Sequence, residues 1–179
     1  MSVNPSKYEG FSDVPDSITP FVGVRAWRVM PDLHNEDRLW SLYKSGITWP
    51  VGKRLEAHCI QAAYWGWGAY QVASKIDLPP HDAPSPLCSC GIYGLNSPLG
   101  EEEIRPWQND AIVGLTFIWG HVLEGERGYR GQYAKIACLL GQGDDEQRTR
   151  VARMADIYMV PVIEDLHWEL DRHRKEQGG

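Results

Sequence analysis

Apolar and polar positions alternate along Phe21–Met30. Arg25, Trp27 and Val29 fall on one face and Val24, Ala26 and Arg28 on the other, which predicts a half-buried β-strand. A polar turn over Pro31–Asp37 leads into Arg38–Tyr43, a second strand expected to pair back on the first. Turn residues at Trp49-Pro-Val-Gly52 precede Arg54–Ile60, where alternation puts Leu55, Ala57 and Cys59 on a shared face. Cys90–Leu95 fits a short strand and Ala111–Leu123 a buried one. Gly128–Ile136, alternating around Tyr129 and Tyr133, is its expected hairpin partner through Glu124-Gly-Glu-Arg127. Beyond Gly141 and Gly143 the period changes. Asp144 and Asp145 suit an N-cap and first turn, and Val151, Met154, Ala155 and Tyr158 recur at helical spacing. Pro161 interrupts this pattern, and Glu164–Gln177 reads as a final amphipathic helix carrying Leu166 and Leu170, with a basic end that suits the helix dipole.

Strands first and helices last give an α+β class, with a mainly antiparallel sheet and C-terminal helices. Residues 1–20, with Pro5, Gly10, Pro15 and Pro20 and little apolar period, read as an extended N-terminal arm; residues 21–179 read as a single domain. Gln61–Ile76 fits a short helix or an insertion, since Gly66 and Gly68 each disfavour a helix by about 1 kcal/mol. Asp77–Pro86 holds four prolines and excludes regular structure. Asn96–Asp110 is an acidic loop around Glu101-Glu-Glu103.

Composition narrows the class. A chain of 179 residues, 42% hydrophobic and 23% charged, suits one soluble core that needs no disulfides. A net charge of −6 argues against a long groove for a phosphate backbone. No apolar run approaches the ~20 residues of a membrane span, and residues 1–20 contain no signal-peptide apolar region, so a cytoplasmic protein is expected. Eight tryptophans fit either a core of large plates with glycines making room, or an aromatic recognition surface.

Three of the four cysteines, Cys59, Cys88 and Cys90, fall in one third of the chain, with His81 between them in the Pro-rich loop. Zinc takes four tetrahedral ligands and favours thiolate and imidazole. A Cys-x-Cys pair can present two sulfurs from one loop, Gly91 permits the tight backbone this needs, and Cys59 and His81 complete a Cys3His structural site. Buried free thiols beside an unrelated histidine, or a disulfide, are the alternatives. His58 could replace His81, but next to Cys59 on a strand it points to the opposite face. Cys138, among apolar neighbours, reads as core.

His121, Glu124, Glu126, Arg127, Tyr129, Arg130 and Tyr133 gather polar chemistry around the hairpin. Cross-strand Glu–Arg pairing explains them structurally. As a small enzyme, the chain would use Glu124 or Glu126 as general base and Arg127 and Arg130 to bind an anion. Arg25, Arg28, Arg127 and Arg130 beside aromatics could also form a local nucleic-acid patch.

The run His81-Asp-Ala-Pro84 followed by Cys88-Ser-Cys-Gly-Ile-Tyr93 resembles a pattern in a group of small actinobacterial and actinophage proteins. Trp119-Gly-His-Val-Leu-Glu-Gly-Glu-Arg-Gly-Tyr-Arg-Gly-Gln-Tyr-Ala134 is similar to that group's second signature, and Tyr158-Met-Val-Pro161 to its closing element. The resemblance spans residues 21–163 and supports zinc ligation by position, with an earlier cysteine matched by Cys59. The segment Gln61–Leu78 is longer and richer in aromatics than that pattern. The resemblance implies no particular reaction. The sequence reading is therefore a zinc-stabilised, non-enzymatic binding or regulatory module for a protein partner, of phage origin if the resemblance holds.

Overall fold

The structure, a computed structural model, describes residues 19–42, 46–59, 81–97 and 111–177. All but the last two residues of the expected arm, the whole of Gln61–Ile76, the start of the Pro-rich loop and most of Asn96–Asp110 lie outside the described residues. The elements run in the order β1 (Phe21–Pro31), β2 (Asp37–Ser41), β3 (Leu55–Glu56), β4 (Ile92–Leu95), β5 (Ala111–Gly125), β6 (Gly128–Leu140), α1 (Asp145–Tyr158), β7 (Val162–Ile163) and α2 (Leu166–Gln177). The fold is α+β: a mainly antiparallel sheet followed by the two C-terminal helices.

Pairing closes four of the strands on themselves. β1 pairs antiparallel with β5 along Phe21–Arg28, and β5 with β6 through a tight turn at Glu126-Arg127. β6 then pairs with β4 over Gly128–Gly131, and β4 returns to β1 at Val24 opposite Leu95. Glycine makes so narrow a ring possible. A Cβ on Gly131 would sit 2.1 Å from Ile118 Cγ2, one on Gly94 2.7 Å from Ile118 Cδ1, and one on Gly23 2.8 Å from Gly94 Cα. The fully buried Ile118 side chain thus takes the space that side chains at Gly23, Gly94 and Gly131 would occupy. Register shifts at Leu115/Thr116 and between Trp119 and Val122 mark bulges that bend the long hairpin around it.

β1 differs from the half-buried expectation: both of its faces are covered. Val22, Val24 and Ala26 pack with Leu115, Leu140, Leu166 and Leu170 under α2. Trp27 packs with Leu39, Trp49, Ile112, Met154 and Tyr158 under α1. Alternation between side chains such as Arg25 and Val24 read as inside and outside because the sequence does not reveal a helix on each side of the sheet. α1 starts where the Asp144 carboxylate accepts from the Gln147 N–H, and its buried face is Val151, Met154, Ala155 and Tyr158, as the spacing predicts. Tyr158 Oη accepts from the Leu39 N–H and donates to the Trp49 carbonyl, each at 2.9 Å, locking the helix end to β2. Trp27 and Trp49 meet edge to face at 5.4 Å, so these tryptophans are core plates, whereas Trp168 on α2 is 63% exposed.

The strand expected over Arg54–Ile60 is shorter. Only Leu55–Glu56 pairs with β6, and an Ala57 N–H bond to the Gln132 carbonyl carries the backbone one residue farther. β6 extends past the expected Ile136 to Leu140, which places Cys138 inside the sheet. Among the described residues no helix is long and apolar enough to cross a membrane.

Candidate metal centre

Local chain geometry brings the ligand candidates to one place. Cys59 follows β3, held near the sheet by the Ala57 bond to Gln132. His81, Cys88 and Cys90 lie in the loop that feeds β4. That loop turns where the Cys88 N–H donates to the Ser85 carbonyl at 3.2 Å. It turns again at Gly91, whose φ of +115° and 2.9 Å approach of a would-be Cβ to Pro84 Cβ admit only glycine. Ala83, Cys88 and Cys90 form a small buried cluster, with Ala57 and Cys59 packed against it.

One donor atom from each of Cys59, His81, Cys88 and Cys90 lies within 4.8 Å of every other. Cys59 Sγ is 3.7 Å from Cys88 Sγ, and Cys90 Sγ is 3.4 Å from His81 Nε2. Bonds of about 2.3 Å to sulfur and 2.0–2.1 Å to nitrogen at tetrahedral angles give ligand–ligand edges of about 3.8 Å and 3.6 Å. Both measured separations fit such edges. The four cysteines are free thiols, and a 3.7 Å gap is far from the roughly 2.05 Å of a disulfide. His58 is exposed and is not one of the four, so of the two candidate histidines it is His81 that joins the thiols.

The thiols influence one another. Burial alone would raise the Cys88 pKa. The Cys90 backbone N–H and the side chains of Cys90, His81 and Cys59 outweigh that and hold it at about 7. Cys90 moves the other way, raised by burial and by the neighbouring Cys88 sulfur.

Arg130 organises the same loop. Its Nη1 donates to the Cys88 carbonyl and reaches the Cys90 carbonyl at 3.3 Å and the Ser85 carbonyl at 3.4 Å. The guanidinium lies 5.8 Å from the Tyr93 ring centroid, and Tyr93 Oη donates to the Ser89 carbonyl at 2.8 Å. Cross-strand Glu–Arg pairing therefore does not account for Arg130, and neither does capture of a free anion. Glu124 and Glu126 are exposed at the hairpin tip. Sequence reasoning assigned Arg130 to the hairpin because the register that sets it opposite Tyr93, three residues past Cys90, exists only once β4 pairs with β6.

Arg25 is likewise tied into the fold. It donates to the Tyr93 carbonyl and, at 3.0 Å, to Ser41 Oγ, with its guanidinium 5.1 Å from the Trp49 ring. Two of the four arginines considered for a nucleic-acid patch thus hold the loop and β4 in place. Cys138 stands apart, 2% exposed in β6, and burial pushes its thiol up to about 12. Beside the loop lies a cavity of about 630 Å³, walled by Val24, Ala26, Leu55, Ile92 and Leu95, with Arg25 and Arg127 as the charged lining residues among the described ones. Comparison with protein-family models, curated proteins and solved structures finds no match, so the chemistry of this centre rests on its own side chains.

Proposed function

We propose that the protein is a zinc-stabilised, non-enzymatic binding module, its ion held by Cys59, His81, Cys88 and Cys90. The observation that carries the reading is the convergence of three sulfurs and one imidazole nitrogen within 4.8 Å. Four protein ligands complete a tetrahedral shell and leave no position for an activated water, so the ion is structural. Its two positive charges offset the thiolates, and Arg130 restrains the loop carbonyls around them. Purified from zinc-containing medium, the protein is expected to carry close to one zinc per chain by elemental analysis. Cobalt replacement should give the visible bands of a tetrahedral thiolate site. No bound metal after refolding with zinc, or an unchanged melting curve for Cys90→Ser, would overturn the assignment.

The proposed ligand of the module is a segment of another protein that offers apolar side chains flanked by a carboxylate. The cavity beside the metal loop supports this, since among the described residues its walls are largely apolar and its charged lining residues are Arg25 and Arg127. A partner in a bacterial cytoplasm is the reading that the motif resemblance to actinobacterial and actinophage proteins supports. Peptides with and without the acidic flank, titrated against wild type and Arg127→Glu, test the recognition. Equal binding by all four combinations would refute it.

A further inference from the structure

We infer that the same cluster is a thiol redox switch in which a hydroperoxide joins Cys59 to Cys88 as a disulfide and thereby expels the ion. Release of the ion rests on the zinc reading above, whereas the disulfide stands on the sulfur geometry by itself. Cys59 and Cys88 are separated by 29 positions in sequence, yet their Sγ atoms stand 3.7 Å apart. Cys59 is only partly covered, and Cys88 is buried at 7% exposure. An oxidant from solvent therefore meets Cys59 first, with a second sulfur already in contact behind it.

The chemistry closes without any further reagent. The Cys59 thiolate attacks one peroxide oxygen. The O–O bond breaks, a sulfenic acid forms, and the departing alkoxide or hydroxide takes a proton from solvent. The Cys88 thiolate then attacks Cys59 Sγ. The S–S bond forms as the S–O bond breaks, and hydroxide leaves, becoming water with a second solvent proton. Two electrons pass from the two sulfurs to the peroxide. Cys90 Sγ and His81 Nε2 remain, 3.4 Å apart, but two ligands cannot hold a tetrahedral ion against water. The new bond spans the same two chain segments as the ion did, so the loop stays tethered beside β3 while the metal departs.

The test uses full-length, zinc-loaded protein treated with a small excess of hydrogen peroxide. Released zinc is read with a chromogenic chelator, and the crosslink by fragmentation of tryptic peptides. The expected result is one zinc released per chain, in step with a Cys59–Cys88 link, and reversal of both by dithiothreitol plus zinc. A Cys88–Cys90 link, oxidation to sulfonate without a crosslink, or intact thiols after treatment would each overturn the switch. Cys88→Ser should abolish the link and Cys90→Ser should leave it; should either variant fail to fold, the wild-type fragment map decides. Zinc content before oxidation reports separately on the coordination reading, because the crosslink can be mapped equally well on metal-free protein.

Discussion

Replacing Arg130 with methionine removes the guanidinium while keeping the length of an unbranched stem, and the structure specifies what that change should do. A single nitrogen, Nη1, faces the carbonyls of Cys88, Cys90 and Ser85. It has two protons to give, so about two effective charge-assisted bonds are lost. At roughly 1.5–3 kcal/mol each, that is about 3–6 kcal/mol before water replaces the arginine. Because the loop is half-buried, water recovers much of this, and loss of a group that orients metal ligands typically weakens binding about 10–100-fold.

The expected outcome for Arg130→Met is therefore a zinc affinity lower by that factor, read by competition with a chromogenic chelator. Arg130→Lys, able to reach one carbonyl, should fall between. Arg130 bonds the loop in the arrangement that the proposed ion would require, so the melting temperature of the zinc-loaded form should drop by more than that of the metal-free form. Zinc affinity equal to wild type, or the same temperature drop in both forms, would mean that Arg130 merely supports the sheet.

The glycine-walled ring makes Ile118→Ala a severe core truncation. The expected destabilisation is about 3–5 kcal/mol by denaturant titration, high in the range for such changes, because Gly23, Gly94 and Gly131 have no side chains to relax inward. Gly131→Ala should be destabilising too and partly rescued by Ile118→Ala, whereas additive losses would contradict direct contact. Cys138 supplies a pH dependence. Its thiol is held at about 12 against an ordinary 9.0, so above pH 9.0 the unfolded chain loses a proton that the folded one keeps. Stability should decline by about 1.4 kcal/mol per pH unit between those values. Cys138→Ala should show a correspondingly shallower alkaline slope, and identical slopes would refute the assignment.

What could be read from the chain alone followed the range of the interactions involved. Helix α1 was legible to its N-cap because Asp144 and the spacing of Val151, Met154, Ala155 and Tyr158 act within a few turns of one segment. The candidate cluster was legible because thiolate and imidazole are chemically distinctive wherever they occur, whereas the strand alternation used to set His58 aside does not reach it, since β3 ends at Glu56. Three features depended on contacts between distant segments and were not legible. Burial of both faces of β1 needs α2, more than a hundred residues downstream. The role of Arg130 needs the β4–β6 register. Closure of the ring needs Gly23, Gly94 and Gly131 to converge on Ile118, and in sequence each is simply a glycine in a strand.

The candidate metal centre and the ring are consecutive parts of one structure. Cys90 is followed directly by Gly91, and Gly91 by β4, which has only four residues and meets β1 at the single pair Val24 and Leu95. So short a strand gains little from its own ladder and must be held in register from outside. Three tethers do this: the proposed ion at its N-terminal end through Cys90, Arg130 of β6 reaching back over that same loop, and Arg25 of β1 bonded to the Tyr93 carbonyl within the strand. The β5–β6 hairpin has no such dependence, since its pairing runs from Gly114 to Gly125. Loss of the ion should therefore weaken the structure unevenly. The closing strand loosens first and uncovers Ile118, while the long hairpin and the helix α1 packed beside it persist.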